Sequence, residues 1–244
     1  MVAKSKKGTV LVTGASRGLG LEFVRQYLND GWNVIATSQK PEKATALKQM
    51  VRDGAPLDIF QLDVTDASSV ARLAKGLRGR GIDVLINNAG DRGADYGDGK
   101  GKQSFGKHDY TVWSYVLAIN TLGPLRVMEI VYKNIKSTKG LMVNISSAGG
   151  SIAALGGRVG SLAYQASKCA LNMIVASTAA QLKKDKIAVV GICPGKTRTQ
   201  DWHTKKSHPV SAEQSVAALR KTIAKLAIKD TGRFVDRNGK DIPW

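Results

Sequence analysis

Thr9-Val10-Leu11-Val12-Thr13-Gly14-Ala15-Ser16-Arg17-Gly18-Leu19-Gly20 is the stretch on which the reading of the chain turns. Val10 to Val12 is a short apolar run of the kind that forms a buried parallel strand. Gly14, Gly18 and Gly20 follow, and Leu19, Phe23, Val24, Tyr27 and Leu28 then recur at helical spacing. Strand, glycine turn and helix in that order point to a nucleotide site. Glycine lets the backbone turn tightly and lets a phosphate approach without a Cβ in the way. The first-turn N–H groups of the helix then face a pyrophosphate.

Outward from this unit the chain keeps alternating. Strands are expected at Asn33–Thr37, Leu57–Leu62, Ile82–Ile86, Leu141–Ile145, Ile187–Ile192 and Arg233–Val235. Helices are expected at Pro41–Val51, Ala67–Leu77, Thr111–Ile135, Leu162–Lys183 and Ser211–Leu226. Right-handed crossovers turn such a series into one doubly wound parallel sheet, a single α/β domain over residues 1–244 with helices on both faces. Asp91 to Tyr110 breaks the rhythm and reads as a long loop. The stretch from Gln200 to Val210, with His203, Lys205, Lys206 and His208, reads as part of a substrate lid.

The 244 residues carry 37 Lys and Arg against 19 Asp and Glu, a formal charge of +18, and are 43% hydrophobic. A basic surface attracts anionic ligands, phosphorylated cofactors among them, or is simply solvated. No aromatic-basic stripe argues for specific nucleic-acid binding, and no spacing of ligands argues for a metal. Cys169 and Cys193 sit in apolar runs and read as buried free thiols. Met1 to Lys7 is basic without a secretory apolar segment after it, and no run reaches the ~18 apolar residues of a membrane span. The expectation is a cytoplasmic protein with no membrane partner. Trp113, Val116, Val127, Met128, Ile174 and Val175, on the two long helices, are the expected surface of a homodimer or homotetramer.

Chemistry concentrates after the strands. Ser38-Gln39-Lys40 stands just past strand two, where an acid would hold the ribose 2′-hydroxyl of NAD. An acid would repel a 2′-phosphate, whereas Ser38 and Lys40 accept it and Arg17 can pair with it bidentately. NADP(H) is therefore expected rather than NAD(H). Asp63, after strand three, can accept from the adenine amino group or cap the next helix. Asn87-Asn88-Ala89-Gly90, after strand four, offers small residues beside the adenosine half, or an ordinary turn. Tyr164 and Lys168 lie four apart on one helix face, in a helix with little other polar surface. Strand five ends in Asn144-Ile145-Ser146-Ser147, which places a hydroxyl at the carboxyl edge of the sheet.

Together the glycine stretch, Asn87 to Gly90, Asn120, Ser147, Tyr164 with Lys168, and Pro194-Gly195 with Thr199 resemble the short-chain dehydrogenase/reductase family over the whole chain. Val34 to Thr37, Pro41 to Ala44 and the ending Ile242-Pro243-Trp244 are similar to its C-factor and carbonyl-reductase-like branch. The resemblance implies a Rossmann-type fold and a ketone or aldehyde reductase acting on a carbonyl/alcohol pair. It implies a catalytic set of Asn120, Ser147, Tyr164 and Lys168. Cofactor contacts are implied at Gly14, Ser16, Arg17, Gly18, Leu19, Gly20, Ser38, Lys40, Asp63, Val64, Asn88, Ala89, Gly90, Tyr164, Lys168, Pro194, Gly195, Thr197 and Thr199. Tyr164 would give the proton and Ser147 would hold the substrate oxygen. Lys168 would hold the nicotinamide ribose, and Thr199 the carboxamide.

The residue chemistry agrees. Moving a phenol from its usual pKa of about 10 to ~7 takes about 4 kcal/mol. An ammonium at ~4 Å in an effective dielectric of ~20 supplies roughly that. Pro124 has no N–H to give the Asn120 carbonyl, which the family uses to hold a relay water. Between Ser147 and Tyr164 the chain has about four residues more than the family usually has, in Gly149 to Gly160, and this insertion is expected to bulge without moving either end. The alternative reading is a cofactor-binding regulator with little activity.

Overall fold

The computed structural model describes residues 8–93, 105–157, 160–199 and 210–244. In chain order these form β1 (Thr9–Val12), α1 (Gly18–Asn29), β2 (Asn33–Ser38), α2 (Thr45–Arg52), β3 (Leu57–Gln61), α3 (Ala67–Gly76), β4 (Val84–Asn87), α4 (Tyr110–Leu117), α5 (Gly123–Thr138), β5 (Leu141–Ile145), α6 (Leu162–Leu182), β6 (Ala188–Cys193), β7 (Thr197–Arg198), β8 (Val210–Ser211), α7 (Ala212–Ile223) and β9 (Phe234–Asp236). Seven strands make one sheet in the order β3-β2-β1-β4-β5-β6-β9. Every pairing in it is parallel. The two-residue strands β7 and β8 pair with each other apart from it.

Strand alternation divides the core into two layers. Val10 and Val12 of β1 face Phe23 and Val24 of α1, Leu47 of α2 and Val216 and Leu219 of α7. Leu11, between them, faces the opposite layer with Leu73 of α3, Val127 and Met128 of α5 and Leu171 and Val175 of α6. Side chains buried this completely contribute about 1.5–3 kcal/mol each. β1 has β2 on one side and β4 on the other, so the winding direction reverses at β1. A crevice opens there at the carboxyl ends of the strands.

The expected elements are present, with ends shifted by one to three residues, but two expected helices are not continuous. Pro41–Lys43 is a separate 3-10 turn, and buried Ala44, at φ −82° and ψ 65°, leaves helical geometry before α2 begins. The expected helix over Thr111–Ile135 is α4 and α5 joined by a π turn at Ala118–Leu122, in which the Gly123 N–H reaches back five residues to the Ala118 carbonyl. Pro124 cannot donate to Asn120, and the wider turn absorbs the missing bond.

The expected partner surface needs correction. Val116, Val127 and Val175 have no exposure and Met128 has 2%, so none of the four can meet another copy. α6 packs on α4 and on the π turn as well as on β6. Packing within the chain consumes the apolar circumference that suggested a partner. Tyr110, Tyr115, Leu122, Leu162 and Met173 are the large apolar side chains exposed on these helices and the turn that joins them.

Candidate functional site

A cavity of about 1080 Å³ runs along the carboxyl ends of the central strands. Its β1 end is stitched together by Thr13 and Asn88. The Thr13 hydroxyl accepts the Asn88 and Ala89 N–H groups, each at 3.0 Å. Asn88 Nδ2 returns bonds to the Thr13 and Gly14 carbonyls at 2.9 and 3.1 Å. Gly14 has φ +64°, and a Cβ on it would lie 2.9 Å from the Ala89 Cα. Gly14, Ser16, Arg17, Gly18 and Leu19 line the cavity, with Ala89 and Gly90 across from them. Arg17 starts α1 in an extended conformation with no side-chain cap bond, so the first-turn N–H groups are left for a ligand. Gly20 does not line the cavity. A Cβ there would fall 2.3 Å from the Gly14 carbonyl oxygen, so Gly20 shapes the loop rather than touching what it holds.

The β2 side of the cavity is basic. Ser38 and Lys40 line it as expected, and so do Gln39, Arg25 and Lys43, which no local pattern marks in the sequence. Helix α1 and the 3-10 turn carry Arg25 and Lys43 to the cavity, and only the fold brings them beside Ser38. Among the described residues Asp91, from the turn after β4, is the one acid in the wall. Asp63 stands outside that wall. Its Oδ1 accepts from the Thr65 N–H at 2.8 Å and hydroxyl at 2.6 Å, and its Oδ2 from Gln39 Nε2 at 3.2 Å. Its neighbours Leu62 and Val64 do line the cavity. Arg17→Ala is expected to weaken NADPH binding by about ten- to a hundredfold, the worth of charge-assisted bonds to a phosphate. NADH binding should stay nearly unchanged. Titration with both reduced cofactors checks this.

At the β5 end, Ser161 caps α6 through the Tyr164 N–H at 3.3 Å, which sets Tyr164 in the first turn and Lys168 one turn on. Lys168 is 5% exposed, and its Nζ donates to the Ile145 carbonyl at 2.9 Å. That ammonium lies 5.8 Å from the Tyr164 ring centroid. Burial, and then the charge of Arg92, lower its pKa to about 8, against a smaller opposing effect of Cys193. Asn120, fully buried in the π turn, joins Asp91 by two bonds: its Nδ2 donates to the Asp91 carbonyl at 2.6 Å, and its Oδ1 accepts the Asp91 N–H at 2.9 Å. Its Nδ2 also reaches the Ser167 hydroxyl at 3.0 Å.

Ser146 and Ser147 diverge, as strand alternation requires. The Ser146 hydroxyl is buried and donates to Asn172 Oδ1 at 2.6 Å. Ser147 is not in the cavity wall, and its oxygen accepts the Gly149 N–H at 3.1 Å. That contact uses a lone pair and leaves the O–H to donate. The insertion that follows is tied down at its start. A Cβ on Gly150 would lie 2.6 Å from the Lys168 main chain, and Asn172 Nδ2 bonds the Gly150 carbonyl at 3.0 Å. Ser151 donates to the main-chain oxygens of Pro243 and Trp244, and the Ala153 N–H bonds the latter at 3.1 Å. Trp244 in turn stacks on Phe234 at 5.4 Å. The ending Ile242-Pro243-Trp244 thus braces the segment after Ser147.

The far wall holds Pro194, Gly195, Thr197 and Thr199. Thr197 is anchored to the Ser215 hydroxyl at 3.0 Å, and Thr199 faces Gly18, where a Cβ would lie 3.6 Å from its side chain. The stretch read as a lid lies outside the described residues from Gln200 to residue 209, and so do residues 94–104 of the long loop. Sequence reasoning also missed Arg92, Tyr115 and Ile119 in the wall. Arg92 is a single charged residue in a loop, without spacing or periodicity to mark it.

A dinucleotide-shaped cleft with a Tyr and Lys pair at one end and cations at the other defines a class of oxidoreductase. Residues 8–209 match the family described as short chain dehydrogenase, and the chain belongs to that family, in its carbonyl-reductase-like branch. It is similar to an NADPH-bound carbonyl reductase from chicken fatty liver, with 31% identity, a TM-score of 0.85, and coverage of 98% of this chain and 100% of that one. It is 30% identical over 249 residues to the 1-hydroxy-2-glutathionyl-2-methyl-3-butene dehydrogenase of a Rhodococcus species, covering 97% of this chain and 99% of the relative. The serine 3-dehydrogenase of Agrobacterium fabrum is also 30% identical, over 79% of this chain and 73% of its own length. Among the described residues no helix is long and apolar enough to cross a membrane.

Proposed function

We propose that this chain is an NADP(H)-dependent reductase of ketones or aldehydes, with Tyr164 as proton donor. The observation that carries the reading is Lys168. A buried ammonium costs several kcal/mol, and no carboxylate among the described residues forms an ion pair with it. Its Nζ donates instead to the Ile145 carbonyl, at the edge of the cleft and beside the Tyr164 ring. Core packing has no use for such a group, whereas a phenol that must release a proton does.

The cleft fits the cofactor. Its glycines leave space that a Cβ would fill, the first turn of α1 opens on it, and Arg17, Lys40 and Lys43 supply cations where a 2′-phosphate would lie. The cofactor of the chicken carbonyl reductase is NADPH, and the same choice is inferred here. When bound, NADPH supplies the hydride that reaches the carbonyl carbon. Tyr164 gives its phenolic proton to the carbonyl oxygen, and Ser147, although it stands outside the described cavity wall, is the donor to that oxygen that the family resemblance implies. Lys168 stabilises the phenolate left behind and offers N–H donors to the ribose. Asn120 holds Asp91 and Ser167, and so keeps the π turn and the turn after β4 in register. The alcohols named for two relatives, serine and a glutathionyl adduct, both carry carboxylates.

The test is NADPH oxidation with a panel of aldehydes, ketones and quinones. Reduction of at least one class, faster with NADPH than with NADH, is the expected result. NADPH binding without turnover on any of them would replace the reductase with a cofactor-binding regulator.

A further inference from the structure

Arg92 stands at the catalytic end of the cleft, on the turn after β4, apart from the cations around Ser38. It lines the cavity, and its Cζ lies 5.5 Å from the centroid of the Tyr164 ring. Lys168 Nζ lies 5.8 Å from the same centroid, so two cations lie near one phenol ring. The position of Arg92 is set through its neighbours. Asp91 is clamped to buried Asn120 by bonds of 2.6 and 2.9 Å. The Gly93 N–H closes a turn on Asp91 Oδ1 at 2.8 Å. Burial first, and the Asp91 carboxylate next, raise the pKa of the neighbouring Tyr115. The two cations oppose each other's charge, since Arg92 is, after burial, the next cause of the lowered pKa of Lys168.

We propose that Arg92 selects carbonyl substrates that carry a carboxylate, its guanidinium holding the carboxylate while the Tyr164 hydroxyl holds the carbonyl oxygen. The inference rests on the reductase reading above. A planar guanidinium presents two parallel donors that match the two oxygens of a carboxylate, and the pairing strengthens where water is excluded. The 2′-phosphate has its own cations on the β2 side, so the charge of Arg92 is not spent on it. In the reaction the carbonyl carbon gains the hydride that NADPH supplies and the oxygen gains the Tyr164 proton. The products are the alcohol and NADP⁺, and the carboxylate is unchanged.

The experiment measures kcat/KM with NADPH for 3- and 4-formylbenzoate against the amides of the same shape. The readout is the ratio of acid to amide, in the parent and in Arg92→Ala, Arg92→Gln and Arg92→Lys. The parent is expected to favour at least one acid over its amide by about ten- to a hundredfold, the span of a charge-assisted bidentate pair. Arg92→Ala and Arg92→Gln should bring that ratio to within about threefold of unity, and Arg92→Lys should keep part of it. A parent ratio near one for both isomers, or a ratio that survives Arg92→Ala and Arg92→Gln, overturns the proposal and leaves the reductase reading standing. No turnover of any of the four aldehydes, with turnover of another carbonyl in the panel above, overturns this proposal alone, and no turnover of that whole panel overturns both.

Discussion

Tyr164→Phe is expected to bind NADPH within a few-fold of the parent and to reduce aldehydes ~10²–10⁴ times more slowly, the usual span for general acid catalysis. The substitution keeps the ring, and with it the surface that lies near both Lys168 and Arg92. Only the hydroxyl is lost, so α6 keeps its Ser161 cap and its packing. A structural role for Tyr164 predicts the reverse: a lower melting temperature with turnover per folded molecule little changed. Single-turnover NADPH oxidation by the folded variant decides between them. A rate close to the parent's would end the assignment of the proton to Tyr164.

Lys168→Met should lose turnover on a similar scale, but with a different signature. Without the cation, Tyr164 keeps its proton to higher pH, so the alkaline fall of kcat/KM for reduction moves upward. The apparent values belong to the coupled Tyr164 and Lys168 pair rather than to either residue. Cofactor binding should weaken as well, because a donor to the ribose is gone. Stability gives an independent check. Burial lowers the Lys168 pKa to about 8, against about 10.4 for an unperturbed lysine. Between those values the unfolded chain binds more protons than the folded one, so unfolding free energy from this group rises with pH. The penalty of the buried ammonium is fully present below about pH 8 and relieved by about pH 10.4. Urea titrations of the cofactor-free protein over that window should show the rise in the parent and not in Lys168→Met. Parallel curves would mean that Lys168 is not buried as an ammonium.

The Thr9–Gly20 stretch, the alternation of strand and helix and the helical spacing of Tyr164 and Lys168 are local patterns, legible in the chain itself. Each depends on residues within one or two turns or one strand, where backbone geometry dictates which side chains share a face. The acid-free run Ser38-Gln39-Lys40 is legible for the same reason, since its meaning comes from its place just past a strand.

What tertiary structure alone decided joins residues far apart in sequence. The π turn follows from Pro124, yet its use, a side-chain clamp from Asn120 to Asp91, spans 29 positions. Val116, Val127 and Val175 look like a partner surface because amphipathicity counts apolar residues without saying which neighbour covers them. The contact of α6 with α4 and the π turn, and of α5 with α3, β4 and β5, covers them within the chain. Arg92 over the Tyr164 ring, Arg25 and Lys43 in the cofactor cleft and the Pro243 and Trp244 brace on Ser151 have no local signal at all. The sequence by itself determined the sheet, the glycine loop after β1 and the placing of Tyr164 and Lys168 on one helix face, because periodicity and glycine geometry act over short range. The charge around that pair and the faces left to solvent were decided only by tertiary structure, because they depend on which distant segments the crossovers bring together.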